Sequence, residues 1–339
     1  MQRKLNAGLI KSREDSLAQS NLKLAKRSEF MIKIKLQGEM NMSTREERIE
    51  IFEGTRQLCQ SSEVLVEAIE KSKREQIIYW EDDVVEQVNP RFSACTEIVV
   101  SPNKTIEAAK KYAEAGERVC VLNFASAVSP GGGVVKGAQA QEECICRLST
   151  LYFALSDPDT AGRFYDYHWS LINNGGMSRR NSDDIIFTPD VFVVRDEANN
   201  EILMTEDKWY KVDVITCAAP DLRKIGDDSE YSPSEEELLK VFEIRWRKIL
   251  AVAARYGADV LILGAFGCGV FANPPELVVC AFNNVVRDFK YHFKTIEFAV
   301  YTTDTESRNY KAFTEVKEMP ARKCRHFLLQ LGPDCCKIK

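Results

Sequence analysis

Gln141, Glu142 and Glu143 follow the triple glycine Gly131-Gly132-Gly133 after seven intervening residues. Cleaving a glycosidic bond needs a carboxylic acid to protonate the leaving oxygen, then a carboxylate to activate water against an oxocarbenium-like centre. One side chain can do both in succession while its neighbour anchors sugar hydroxyls. Burial and mutual repulsion of two close carboxylates raise one pKa, which favours the protonated acid. Two acids in a first helical turn can also be no more than partners for the helix dipole. Their position beside a glycine loop gives the chemical reading its weight.

A second glycine loop, Gly264-Ala265-Phe266-Gly267-Cys268-Gly269-Val270-Phe271, follows another apolar run. Glycine lets the backbone reach positive φ and approach a ligand with no Cβ in the way. Neither loop is a Walker loop, because no Gly-Lys-Ser/Thr follows, and the second does not keep Gly-x-Gly-x-x-Gly order. In open α/β sheets, ligands bind outside the carboxyl ends of the strands, where loop amides and helix N-termini receive anions. Two such loops at strand ends point to a diphosphate ligand. Phe271 offers a ring for stacking on a base, whereas Phe266 reads as core.

The elements that must position these loops follow from periodicity. Ser43 and Glu46 form a capping-box pattern, and apolar residues from Ile49 to Ile69 predict two helices broken near Ser61–Ser62. Short strands are predicted at 98–100, 119–124, 185–187, 191–194, 212–217, 260–263 and 295–301. Helices are predicted at 106–113 with Gly116 as the stop, 141–155, 164–172, 235–256, from Pro275 and at 309–313. Alternating strands and helices imply an α/β fold with helices on both faces of a mainly parallel sheet. Residues 43–318 are expected to form one domain, between a basic N-terminal extension over 1–42 and a C-terminal tail over 319–339.

The 339 residues are 45% hydrophobic and 29% charged, with a formal net charge of −5. That balance provides no global attraction to nucleic acid or anionic lipid, so a polyanionic ligand must be held locally. No apolar run is long enough for a membrane-spanning helix. Eleven cysteines scattered through apolar runs suggest free thiols in a reducing compartment, cytoplasmic or nuclear, rather than a disulfide framework. Cys324, His326, Cys335 and Cys336 are metal-ligand types in no familiar zinc spacing. Cys144, Cys146 and Cys268 lie near the glycine loops without a sequence-adjacent His, and His168 and His292 read as solvated or structural. No metal or cofactor is expected, and the chain is expected to be a monomer.

The spaced GGG and QEE resemble the signature of poly(ADP-ribose) glycohydrolases, closest to the compact microbial-type branch. Val121–Ala127, Phe187–Val191, Val194–Asp196, Asp213–Pro220 and Gly264–Pro274 resemble further segments of that branch, so the resemblance covers about 43–316. It implies a macrodomain-like three-layer α/β/α sandwich with a mixed, mostly parallel sheet and an added N-terminal helical segment. It also implies hydrolysis of ribose–ribose bonds in poly(ADP-ribose), releasing ADP-ribose from chain ends. Carried over by position, Glu143 would be the acid and later base, and Glu142 would hold the released ribose. Gly131, Gly132 and Gly133 would lie against the distal ribose and diphosphate, and Val134 beside them belongs to the expected ligand-binding set. Gly264, Gly267, Cys268, Gly269 and Val270 would wrap the diphosphate, with Phe271 at the adenine. Asn123, Ala125, Ser126 and Gln141 complete the expected ligand-binding set. Ser126 stands where other branches carry an Asn that contacts ribose.

Three other readings share parts of this pattern: an ADP-ribose reader without turnover, a hydrolase of mono-ADP-ribose on protein or nucleic acid, and a nucleotide-sugar or NAD-metabolite enzyme of another α/β family. A pure reader has no need of both acids. Turnover of polymer against a substrate panel separates the others.

Overall fold

The computed structural model of the protein describes residues 43–223 and 231–314. The basic extension over 1–42, the cysteine- and histidine-containing tail and part of the polar stretch after Pro220 lie outside the described residues.

Helices α1 (Arg45–Ser61) and α2 (Glu63–Glu75) open the domain, and the Ser62 side chain caps α2 by accepting the Leu65 N–H. They are followed by β1 (Ile77–Tyr79), β2 (Glu97–Ser101), α3 (Thr105–Glu114) and β3 (Val119–Phe124). Next come α4 (Gln141–Leu148), α5 (Leu151–Leu155) and, after a π-helical turn over Ala161–Asp166, α6 (Tyr167–Asn173). Strand β4 (Ile185–Val193), the small β5 (Arg195–Asp196) and β6 (Ile202–Leu203) pair, and β7 (Tyr210–Cys217) fill the middle. The chain continues through α7 (Glu235–Arg255), β8 (Val260–Leu263), α8 (Pro275–Val285), β9 (Thr295–Ala299) and α9 (Arg308–Thr314).

Seven strands form one sheet in the order β1-β4-β7-β3-β8-β9-β2. The five from β7 to β2 run parallel, and β4 is antiparallel to both of its neighbours. Strand alternation divides the core between the two faces. Leu122, Ile215, Leu261 and Phe298 face α7 and α8 around Trp246 and Phe282. Val121, Val214 and Ile262 face the opposite layer, with Phe52 of α1 and Ile145 and Leu148 of α4. The result is the expected three-layer sandwich with a mixed, mostly parallel sheet and an N-terminal helical addition.

The predicted 164–172 helix is a π turn followed by α6, and the predicted 295–301 strand ends at Ala299; two further local expectations differ more. The predicted 141–155 helix is split, because Ser149 is extended and bridges to Val193. Strand β4 supplies the competing bonds: Val194 N–H to Leu148 O, Thr150 N–H to Phe192 O, and Phe192 N–H to Thr150 Oγ1. The two predicted strands 185–187 and 191–194 are one strand with an irregularity between Thr188 and Val191. There Asp190 takes φ 55° and its N–H donates to Asp213 Oδ1, while Pro189 lacks a ladder N–H. Strand β1 and the β5–β6 pair are too short for a periodicity to reveal.

Candidate active site

Strand β3 and α4 meet at the carboxyl end of the sheet, and Gln141 joins them. Its Nε2 donates to Leu122 O at 2.7 Å and to Thr105 Oγ1 at 3.1 Å, and its Oε1 accepts the Phe124 N–H at 2.8 Å. One uncharged amide therefore ties the start of α4 to β3 and to the first residue of α3. Both acids follow immediately in the first turn of α4, and both are buried.

The two carboxylates have different partners. Glu142 Oε2 accepts the Ser126 N–H at 2.8 Å, and its Oε1 accepts from Asn123 Nδ2 at 3.3 Å. Alternation along β3 and β7 puts Asn123 and Thr216 on the α4 side of the sheet, where Asn123 Nδ2 also reaches Thr216 Oγ1 at 3.2 Å. Burial pushes Glu142 up to about 8; the Ser126 and Asn123 donors oppose that rise, and Glu143 adds to it. Glu143 Oε1 accepts the Gly133 N–H at 2.8 Å, while its Oε2 is buried without a hydrogen-bond partner among the described residues. Asn123 Oδ1 and the Tyr165 hydroxyl are likewise buried and unpartnered.

The first glycine loop presses its backbone against these acids, with Gly131 at φ 66° and Gly132 at φ 56°. Helix α1 braces the far side of the loop: Arg45 Nε donates to Lys136 O and Arg48 Nε to Gly137 O, each at 2.7 Å. Beneath α4, the buried Arg147 forms a two-pronged pair with Glu201 at 2.7 and 2.8 Å. Its Nη1 also donates to Ala138 O and Glu143 O. Arg147 thus joins the end of the loop, the first turn of α4 and the β5–β6 connection.

The second loop turns back onto the segment that follows β7. Asn273 Nδ2 donates to Pro220 O at 2.7 Å and to Gly267 O at 2.9 Å, and Leu222 N–H donates to Phe271 O at 3.0 Å. Phe266 is fully buried in the α7–α8 core, as expected. Phe271 is half-buried, with the Arg223 guanidinium 5.1 Å from its ring centroid. Asp221 holds Arg223 through two side-chain bonds and also accepts from Arg179 at 2.8 Å.

The family model for the catalytic domain of microbial-type poly(ADP-ribose) glycohydrolase (PARG) matches residues 39–196. The crystal structure of PARG from Thermomonospora curvata is 31% identical, covers 80% of this chain and 100% of its own, and superposes with a TM-score of 0.70. This chain belongs to the microbial-type poly(ADP-ribose) glycohydrolases. PARG of Deinococcus radiodurans in complex with ADP-ribose is 32% identical over 74% of this chain and 97% of its own, with a TM-score of 0.63. The Thermomonospora enzyme bound to the inhibitor ADP-HPD matches at 31% identity and a TM-score of 0.68, over 80% of this chain and 99% of its own. No curated protein sequence gives a significant match.

Among the PARG-like positions, Asn123, Ser126, Gly131, Gly132, Gly133, Gln141, Glu142 and Glu143 come together around the acid pair. Ser126 reaches it through its backbone N–H, which side-chain reasoning does not anticipate. Ala125 and Val134 are buried in the packing. Gly264 supports the second loop against the sheet, where an added Cβ would lie 2.7 Å from Ala299 O. Gly267, Cys268, Gly269 and Phe271 form that loop, and Val270 projects from it with 63% exposure. Burial raises the Cys144, Cys146 and Cys268 thiols. His168 and His292 are buried structural residues, bonded to Asp184 and to Val88 O. Sequence reasoning missed Thr216, Tyr165, Arg147 and the Arg179–Asp221–Arg223 group. Of these only Arg147 carried a signal, one turn after Glu143.

Proposed function

We propose that this protein hydrolyses the ribose–ribose O-glycosidic bonds of poly(ADP-ribose), releasing ADP-ribose from chain ends. The observation that carries the reading is the unequal carboxylate pair beside the triple glycine: both Glu142 oxygens accept protein donors, whereas Glu143 keeps one oxygen unpartnered. Glu143 is then the group that protonates the leaving oxygen and afterwards activates water. Glu142, held by Ser126 and Asn123, positions the hydroxyls of the ribose being released. Its raised proton affinity keeps a proton within the pair near neutral pH.

The backbone of Gly131–Val134 supports the distal ribose and diphosphate. The second loop, from Gly264 through Gly267, Cys268, Gly269 and Val270, wraps the diphosphate, with Phe271 at the adenine. The eight described cysteines are all free thiols, which supports a cytoplasmic or nuclear setting.

Release of ADP-ribose from purified poly(ADP-ribose) tests the assignment. Wild type should release monomer from the first time points, and Glu143→Gln should lose at least about a hundredfold in rate while still binding ADP-ribose. Binding without release by wild type would leave a reader module in place of an enzyme. Early short oligomers would overturn the chain-end mode.

A further inference from the structure

A cavity of about 550 Å³ lies apart from the acid pair, between the end of β1, the π turn with α6, and the segment before β4. Trp80, Tyr167, Arg163, Arg180 and Asp82 line it. Trp80 stacks on Phe164 at 6.2 Å and meets the Tyr167 ring edge-on at 5.5 Å, so its indole is fixed while Tyr167 stays 46% exposed. Arg180 is held by Glu81 and Asp183. Arg163 pairs with Asp159 on the surface, where an exposed ion pair contributes little and leaves the guanidinium free to turn to another anion.

The topology places this cavity at the same end of the strands as the acids. Tyr79 of β1 pairs with Ile185 of β4, Ile185 with Cys217 of β7, and Cys217 with Phe124 of β3. Three strand spacings, about 14 Å, therefore separate the wall at Trp80 from the end of β3. Tyr165, between Arg163 and Tyr167 in sequence, faces inward with its hydroxyl unpartnered. Burial pushes this phenol up, and the Glu142 carboxylate adds to the rise.

The rings and Arg163 suit a nucleotide, and they share the lining with the carboxylates of Glu81, Asp82 and Asp184, of which Glu81 is paired with Arg180. Aromatic faces stack on a base, guanidinium groups meet a diphosphate, and a carboxylate such as Asp82 accepts from ribose hydroxyls. A volume of this size lies within the range of small-ligand pockets. We propose that this cavity is a leaving-side subsite that takes the adenosine diphosphate portion of the polymer unit next to the one being released. The inference rests on the glycohydrolase reading and deepens it, because a monomer would occupy only the glycine-loop site whereas a polymer would span both.

The test uses Glu143→Gln as parent, so that polymer survives the measurement, and adds Tyr167→Ala with Arg163→Ala. Both side chains are exposed, so their removal leaves the core intact. Fluorescence anisotropy then reports binding of end-labelled poly(ADP-ribose) and of labelled monomeric ADP-ribose. Polymer affinity should weaken about tenfold, the loss expected from one stacked base, with monomer affinity unchanged within about twofold. Unchanged polymer affinity, or equal loss for both ligands, overturns the subsite. If the parent binds neither ligand, the glycohydrolase reading falls and the subsite falls with it.

Discussion

Gly132 and Glu143 are packed so closely that a Cβ on Gly132 would lie 2.5 Å from Glu143 Oε1 and 3.0 Å from Glu142 Oε2. The glycine backbone is thus the wall against which both acids are set. Gly132→Ala adds that clash to the strain of φ 56°. It should reduce polymer turnover by about a hundredfold or more, as expected when a general acid is displaced. A melting temperature close to wild type, read beside the rate, would localise the damage to the site.

Stability should depend on pH through Glu142. Burial raises its pKa from 4.5 to about 8, so between those values the folded chain holds a proton that the unfolded chain has released. The unfolded state then binds fewer protons, and stability falls as pH rises across that window. Glu197, buried and raised to about 7, acts in the same direction. Glu142→Gln should flatten the decline between pH 5 and 8 by on the order of 1–2 kcal/mol. Denaturant melts of both proteins across that range would show it; parallel curves would contradict it.

Removing Arg147 should cost more than removing a surface cation. Arg147→Met leaves the buried Glu201 carboxylate without its two-pronged partner, a loss of about 3–5 kcal/mol. Adding Glu201→Gln should restore part of that loss, because it removes the stranded charge. Urea midpoints of the single and double variants measure the recovery.

Phe271 should matter to ligand more than to fold. Phe271→Ala should weaken ADP-ribose binding by about 1–3 kcal/mol, the contribution of one aromatic–base stack. A calorimetric titration distinguishes this from simple packing, which would lower the melting temperature and leave the dissociation constant alone.

Much of this architecture was legible in the sequence. Strand β8 has the predicted bounds and β3 lies where its apolar run places it, because buried central strands are nearly continuous hydrophobic segments. Gly116, at φ 81°, ends α3 as its position suggests, and Gly257, at φ 73°, follows the end of α7 in the same way. The acid pair and both glycine loops were visible for a similar reason: their chemistry lies in short contiguous stretches. What was hidden depends on distant partners. Nothing local to Ser149 reveals that Val193 will pull it out of a helix. Thr216 and Asn123 meet only because β7 and β3 are neighbours, and Arg223 reaches Phe271 across a gap of nearly fifty residues.

The bonds of Gln141 carry a last consequence for repeated turnover. In the proposed mechanism Glu143 loses and regains a proton in every cycle, and each change alters the field felt by the turn that bears it. The amide joining that turn to β3 and α3 has no ionisable proton, so its donor and acceptor roles do not change with the charge on Glu143. The acid can cycle while the backbone beneath it keeps one geometry, ready for the next linkage.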